Sequence, residues 1–318
     1  MDEDADAPLS VLLDAADGPV SIRVWPRRPL TAPGPVLLAC HGWTDSGEVF
    51  GPLATALDRR WTVVAPDAPG HGGTPLRPGP YVVADHVTSA LAVLDALPEV
   101  AGSRPARSAP AARDGAPEVA GSRRARSAPA VRDGPPEVAG SRRARGAVLL
   151  GHSMGALTAA RLAAARPGLV RALVLEDPAR TTLRRPRSAA RMRTWLLGLR
   201  AGDHLSRVSW AAANHPDWPA DELDPWAHSK VEVDLAQLDG PVDWGEPLPA
   251  LLTDVRVPVL IVHGDVRRGG IVSATAAGRC AAACPAGAAV FALPVGHCPR
   301  REARRAFVAA LSAVLDQA

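Results

Sequence analysis

The stretch Ala147–Gly155, AVLLGHSMG, restricts the fold more than any other part of the chain. A short apolar run runs into Gly151-His152-Ser153-Met154-Gly155, and an alanine-rich helical pattern begins at once with Ala156. A strand that turns this sharply into a helix leaves no room for side chains two residues either side of the turn, and glycine stands at both positions. Such a turn lifts Ser153 Oγ above the end of the strand, with a helix N-terminus beneath it that favours developing negative charge. A glycine-flanked serine alone is weak evidence in a chain with 28 glycines. Its alternative is a serine that caps an ordinary helix, and the strand–turn–helix setting favours the reactive reading.

The rest of the chain alternates. Ser10–Ala15 and Val20–Trp25 flank Asp17-Gly18, a hairpin signal. Val36–Cys40 and Trp61–Ala65 read as strands with a helix near Val49–Leu57 between them, and Val82–Leu97 has helical spacing. After the helix that runs to about Ala165, Leu169–Leu175, Val259–Val262 and Ala289–Leu293 read as strands and Arg301–Leu315 as a last amphipathic helix. Strands alternating with helices predict an α/β fold, a mostly parallel sheet with helices on both faces. Residues 181–250 break this rhythm. They hold Trp195, Trp210, Trp218, Trp226 and Trp244 in helix-like pieces separated by prolines, and predict a small helical lid over the sheet's carboxyl edge. The core is then 1–180 with 251–318.

One segment interrupts the core. Pro98–Ala116 recurs nearly unchanged as Pro117–Pro135 and begins a third time at Pro136. Each unit is rich in Pro, Gly, Ser and Arg and has no Leu, Ile or aromatic residue, so it cannot offset its ordering entropy by burial. Residues 98–145 are therefore read as a disordered insertion. An arginine-rich docking arm is the alternative.

Taken in order, Cys40-His41-Gly42-Trp43, Asp67 with Gly70-His71-Gly72, Gly151–Gly155, Val262-His263-Gly264-Asp265 and Gly296-His297 make the chain resemble the α/β-hydrolase superfamily. Leu173–Pro178 (LVLEDP) and Gly296–Glu302 (GHCPRRE) add to the likeness. The resemblance implies an eight-stranded sheet, a lid after the sixth strand and no cofactor. A serine needs a base, and the base an orienting acid. The family's chain order is serine, acid, histidine. Of nine histidines, only His297 lies in a turn after the last predicted strand, which makes it the expected base. The acid is open between two positions. The common family position holds Arg267, so Asp265, just after Gly264, is favoured, and Asp177 in LVLEDP is the alternative. The resemblance assigns the oxyanion donors to the backbone amides of Trp43 and Met154.

The expected activity is hydrolysis of an acyl bond, most readily a carboxylic ester, through Ser153, His297 and Asp265 and an acyl-enzyme. Thioester, lactone and C–C hydrolysis, or cofactor-free haloperoxidase-like chemistry, use the same machinery. A non-catalytic small-ligand-binding protein on this scaffold is the reading from another class. Other classes are excluded by composition. The net charge is +3, and nearly all the positive charge is arginine, Lys230 being the single lysine. Much of that charge falls in the repeat, which has no nucleic-acid-binding motif. Cys280, Cys284, His297 and Cys298 do not make a convincing zinc set, since the first two fall in an alanine-rich helix. An acidic N-terminus, four cysteines and the absence of a long apolar run lead to the expectation of a cytoplasmic protein acting on a small molecule, with no membrane span.

Overall fold

The computed structural model describes residues 7–25, 35–101, 146–179, 186–239 and 242–317. Strands β1 (Leu9–Ala15) and β2 (Gly18–Trp25) form the hairpin. Its turn residues are Ala16 and Asp17, because Ala15 pairs with Gly18, whose φ of 118° only glycine adopts without strain. β3 (Val36–Cys40) leads through a 3-10 turn, Gly47–Phe50, into helix α1 (Gly51–Ala56), and β4 (Thr62–Pro66) follows. The two-residue strand β5 (Tyr81–Val82) opens α2 (Val83–Ala101). The first residues of the repeat, 98–101, are thus the last turn of a helix rather than part of a disordered insertion. The remainder of the repeat lies outside the described residues.

β6 (Ala147–His152) and α3 (Met154–Ala165) meet at Ser153, and β7 (Val170–Glu176) returns to the sheet. A helical layer follows, α4 (Pro186–Arg200), α5 (His204–Asn214) and α6 (Leu223–Ser229). The chain then makes β8 (Val242–Asp243), which pairs in parallel with β5, and α7 (Leu248–Leu252). β9 (Val259–His263), α8 (Ala274–Ala282), β10 (Ala288–Ala292), α9 (Pro299–Glu302) and α10 (Arg304–Gln317) complete it. The final predicted helix is therefore two, broken at Ala303.

The main sheet has eight strands in the order β1-β2-β4-β3-β6-β7-β9-β10. β1 and β2 are antiparallel additions to a parallel remainder. Alternate residues of each strand point to opposite faces, and over the inner strands both faces are buried, while the edge strands β1 and β10 are partly exposed. Leu38, Leu149, Leu173 and Ile261 pack under α2, α3, α7 and α8. Leu37, Leu150, Val174 and Leu260 pack under α1 and α10. Near-continuous apolar strands are what such double burial requires. β3 and β6 lie side by side at the centre, so the loops leaving Cys40 and His152 emerge together at the carboxyl edge.

The helical layer carries its own small clusters, Trp218 and Trp226 with Leu199 and Ala211 in one and Leu196 with Val233 and Leu238 in the other. Trp244 does not join them. It packs with the sheet's core against Trp43 and Tyr81, as do Leu248, Leu251 and Leu252, so the last part of 181–250 belongs to the core by its contacts.

Candidate active site

Ser153 stands at the tip of the β6–α3 turn with φ 52° and ψ −113°. Two glycines make that backbone possible. A Cβ on Gly151 would lie 2.3 Å from the Gly155 carbonyl, and one on Gly155 would lie 2.1 Å from the carbonyl of Cys40 in the neighbouring strand. Both obstacles are backbone and cannot swing aside. Gly155→Ala is therefore expected to destabilise the protein by about 3 kcal/mol, read as a lower urea midpoint. An unchanged midpoint would show that β3 and the elbow are not packed this closely.

The strained serine is held by its own backbone. Its amide donates to the Glu176 carbonyl (2.9 Å), and its carbonyl accepts from Ala179 (3.0 Å) and Ala156 (3.1 Å). Among the described residues, the non-glycine positions at positive φ are Thr44, Ser153 and Asp177, with φ of 69°, 52° and 36°. All three lie where the carboxyl ends of β3, β6 and β7 meet. Strain of this kind costs on the order of 1–3 kcal/mol at each residue and persists only where the surroundings enforce it.

Asp177 directly follows β7, one strand from Ser153. Its side chain is fully buried, and Oδ2 lies 2.6 Å from His297 Nδ1. The amides of Ile271 and Val272 donate to the same carboxylate at 2.9 and 3.2 Å. A carboxylate on Nδ1 fixes that proton and leaves the lone pair of the neutral ring on Nε2. His297 borders the same cavity as Ser153.

The preference for Asp265 as the partner of His297 is corrected by this geometry. Asp265 caps the 3-10 turn Val266–Arg268, its carboxylate accepting the Arg267 amide at 2.9 Å. The backbone then folds back, with the Gly270 amide on the Asp265 carbonyl, and so brings the Ile271 and Val272 amides to Asp177. The loop after β9 thus offers donors to an acid on the neighbouring strand instead of an acid of its own.

The remaining expected residues fall as follows. Met154 is the first residue of α3, so its amide has no acceptor within the helix. The turn Gly42–Asp45, closed by the Asp45 amide on the Gly42 carbonyl (3.1 Å), carries Trp43. The Trp43 indole donates to Gln237 at 2.6 Å and packs on Trp244, while the residue also borders the cavity. The buried histidines His41 and His71 support this turn. His41 Nε2 accepts from Ala68 (2.9 Å), and His71 Nε2 from Thr44 (3.3 Å). Burial holds both below the ordinary histidine range, as these acceptor roles require. His152 stacks obliquely against His297, with its Nε2 3.0 Å from the His297 carbonyl, and burial keeps it well below that range too.

A buried ionic network with no local signature in the sequence runs through the cavity wall, where Asp45, Lys230 and Arg301 border the cavity. Lys230 donates to the Asp45 carboxylate at 2.6 Å, and Arg301 donates to it at 3.2 Å and to Glu222 at 3.3 Å. Arg300 pairs with Glu176 at 2.9 Å. Burial alone would raise Asp45, but Arg301, Lys230 and Arg300 reverse it and hold the carboxyl well below its ordinary range. Burial lowers Lys230, opposed by Asp45. The one sequence signal was compositional, since a chain that uses arginine everywhere else keeps a lysine here.

The cavity measures about 860 Å³ and opens between the sheet edge and the helical layer. Trp195, Trp218 and Trp226 line it and also pack the layer together, so packing and lining are not alternatives for them. Cys280 lies in α8 and Cys284 two residues past its end, the thiol of the second donating to the carbonyl of the first, and among the described residues neither joins His297 in a group of potential metal ligands. Among the described residues one trio, Glu48, His228 and Glu232, brings potential metal-ligand atoms within 4.8 Å of one another, and there His228 already bonds Glu48 at 2.6 Å. No helix among the described residues is long and apolar enough to cross a membrane.

A family model described as "Alpha/beta hydrolase family" matches residues 36–311. No curated protein matches the chain. Among solved structures, E-2-(acetamidomethylene)succinate hydrolase aligns with a TM-score of 0.63 and 21% identity, over 97% of this chain and 99% of that one. The enol-lactonase from Burkholderia xenovorans LB400 aligns with a TM-score of 0.63 and 17% identity, over 96% and 100%. A thermophilic esterase from Thermogutta terrifontis aligns with a TM-score of 0.59 and 16% identity, over 98% of each chain. These likenesses describe a shared fold.

Proposed function

The chain belongs to the alpha/beta hydrolase family, and we propose that within it the protein is a serine hydrolase of acyl bonds, with carboxylic esters as its substrates. The observation that carries this reading is a strained Ser153 that borders the same cavity as His297, whose Nδ1 is held by a buried carboxylate. An ornamental serine would not need a backbone at φ 52°, and a binding pocket would not need a histidine whose Nδ1 is pinned.

In this reading Nε2 of His297 takes the proton of Ser153 as Oγ adds to the substrate carbonyl. Asp177 stabilises the imidazolium that results, and the Trp43 and Met154 amides hold the oxyanion. Collapse expels the alcohol, which receives the proton from His297. Water then repeats the sequence on the acyl-Ser153 ester and releases the acid. Helices α4–α6 serve as a lid whose tryptophans give the acyl group an apolar wall. Similar folds carry the names esterase, lactonase and thioesterase, and the ester assignment is tested by a matched panel of activated esters, thioesters and lactones.

The decisive experiment is labelling with a serine-directed fluorophosphonate followed by peptide mapping. Label is expected on Ser153 in the wild type, none in Ser153→Ala, and in His297→Ala a rate lower by about 10³-fold or more. Folded wild-type protein that takes no label, with small ligands still binding in the cavity, would replace this reading with a non-catalytic binding protein.

A further inference from the structure

Lys230 is the chain's single lysine, and it is spent in the interior. Its side chain is 1% exposed, just after α6 in the helical layer. The ammonium donates to the Thr44 carbonyl and to the Asp45 carboxylate, both at 2.6 Å. It also lies 5.0 Å from the Trp226 ring and 6.0 Å from the Trp195 ring. A buried cation is costly unless its donors are used, and here they are used on one short turn of the core. That turn is Gly42–Asp45, which leaves β3 and faces the Ser153 elbow.

Both sides of Thr44 are fastened. Its amide is held by His71 from the core, and its carbonyl by Lys230 from the helical layer. Between the two, Thr44 is kept at φ 69°, a conformation a β-branched residue does not choose. Release of the carbonyl would let Thr44 relax toward negative φ. The Trp43–Thr44 peptide would then rotate, and the direction of the adjoining Trp43 amide would change with it.

We propose that Lys230 is a positioning residue, which acts through the Thr44 carbonyl and Asp45 carboxylate to aim the Trp43 amide at the oxyanion. The inference rests on the serine-hydrolase reading above. Its consequence is that oxyanion stabilisation depends on the helical layer being seated, since the clamp belongs to that layer and the donor to the core. Arg301 provides the counterweight, because it keeps Asp45 paired when Lys230 is removed. Lys230→Met should therefore lose the clamp without leaving a bare buried carboxylate.

The test compares wild type, Lys230→Met and Lys230→Arg on one activated ester, together with inhibition by a trifluoromethyl ketone and hydrogen exchange of the peptide spanning residues 41–47. Lys230→Met is expected to lower kcat by about ten- to a hundredfold, less than loss of a whole oxyanion donor, with KM within about twofold. Ketone affinity should fall by the same factor as kcat, and the 41–47 amides should exchange faster. Lys230→Arg, which can still bridge a carbonyl and a carboxylate, should recover part of kcat. A raised KM with kcat unchanged would reduce Lys230 to a wall of the cavity, and unchanged kcat and exchange would remove the role outright. Fluorophosphonate labelling separates the two levels. Wild type that labels at Ser153 while Lys230→Met keeps full kcat overturns this inference alone, whereas wild type that never labels overturns the hydrolase reading and this role with it.

Discussion

Asp177→Asn is expected to lower kcat by about 10⁴-fold, whereas Asp265→Asn should leave it within about twofold because asparagine caps a helical turn as well as aspartate does. The carboxylate of Asp177 accepts three donors, His297 Nδ1 and the Ile271 amide on Oδ2 and the Val272 amide on Oδ1. An asparagine amide has one oxygen, so it cannot serve both sides. With its oxygen toward Val272, its NH₂ meets His297 and favours the tautomer that protonates Nε2, which can no longer accept a proton from serine. With the oxygen toward His297, the NH₂ opposes the Val272 amide and leaves a buried donor unpaired, at a cost of about 1–3 kcal/mol. The first arrangement destroys the base and the second loosens its support. Steady-state kinetics on folded variants, checked by near-ultraviolet circular dichroism, separates the two aspartates. A large loss in Asp265→Asn with little in Asp177→Asn would return the acid to the loop after β9.

The sequence favours Asp265, whereas it is Asp177 that bonds His297, and the difference has a physical cause. GDVRRGG has an acid directly after the glycine that ends a strand, and nothing in the residues themselves says that the chain spends it on a local turn. That outcome depends on where the loop returns, and the return is set by contacts with Val295 and with Asp177 on a different strand. The elbow, by contrast, is local. Gly151, Ser153 and Gly155 require nothing distant to be recognised, because steric exclusion acts within a few residues of the turn. The alternation of strands and helices is legible for a similar reason, since the inner strands must be apolar on both faces to lie in a doubly covered sheet. The network of Asp45, Lys230, Arg301 and Glu222 joins positions far apart in the chain. Burial of charge has no local signature, so such a cluster becomes visible only when the fold has brought its members together.

Acidification from pH 7.5 to pH 4.5 is expected to unfold the protein cooperatively, and the cause lies in four buried histidines. His41, His71, His86 and His152 are all held below the ordinary histidine value, burial being the largest cause in each, and His86 falls to about 3. Unfolding restores each to about 6.5. For a base whose folded pKa is depressed, the unfolded state binds more protons at every pH between the two values, so stability rises with pH there. The contribution is intact above about pH 6.5 and is lost as the pH falls from there toward the folded-state values. At pH 5 a histidine shifted as far as His86 costs about 2 kcal/mol. His41, His71 and His152 are lowered in the same sense, so each adds to the loss, against a total stability of about 5–15 kcal/mol for an ordinary domain. The loss also reaches the site, because His41 and His71 accept hydrogen bonds from Ala68 and Thr44 that a protonated ring cannot accept. His86 isolates the effect. Neither of its ring nitrogens has a hydrogen-bond partner among the described residues, and the ring packs edge-on against Tyr81. His86→Leu removes one proton-linked group without removing a hydrogen bond. It should move the acid midpoint, followed by tryptophan fluorescence, to lower pH and leave urea stability at pH 8 within about 1 kcal/mol of wild type. Urea stability that stays flat from pH 7.5 to pH 5 would mean that these histidines are protonated in the folded protein, and with them the hydrogen bonds that hold the Gly42–Asp45 turn would have to be reassigned.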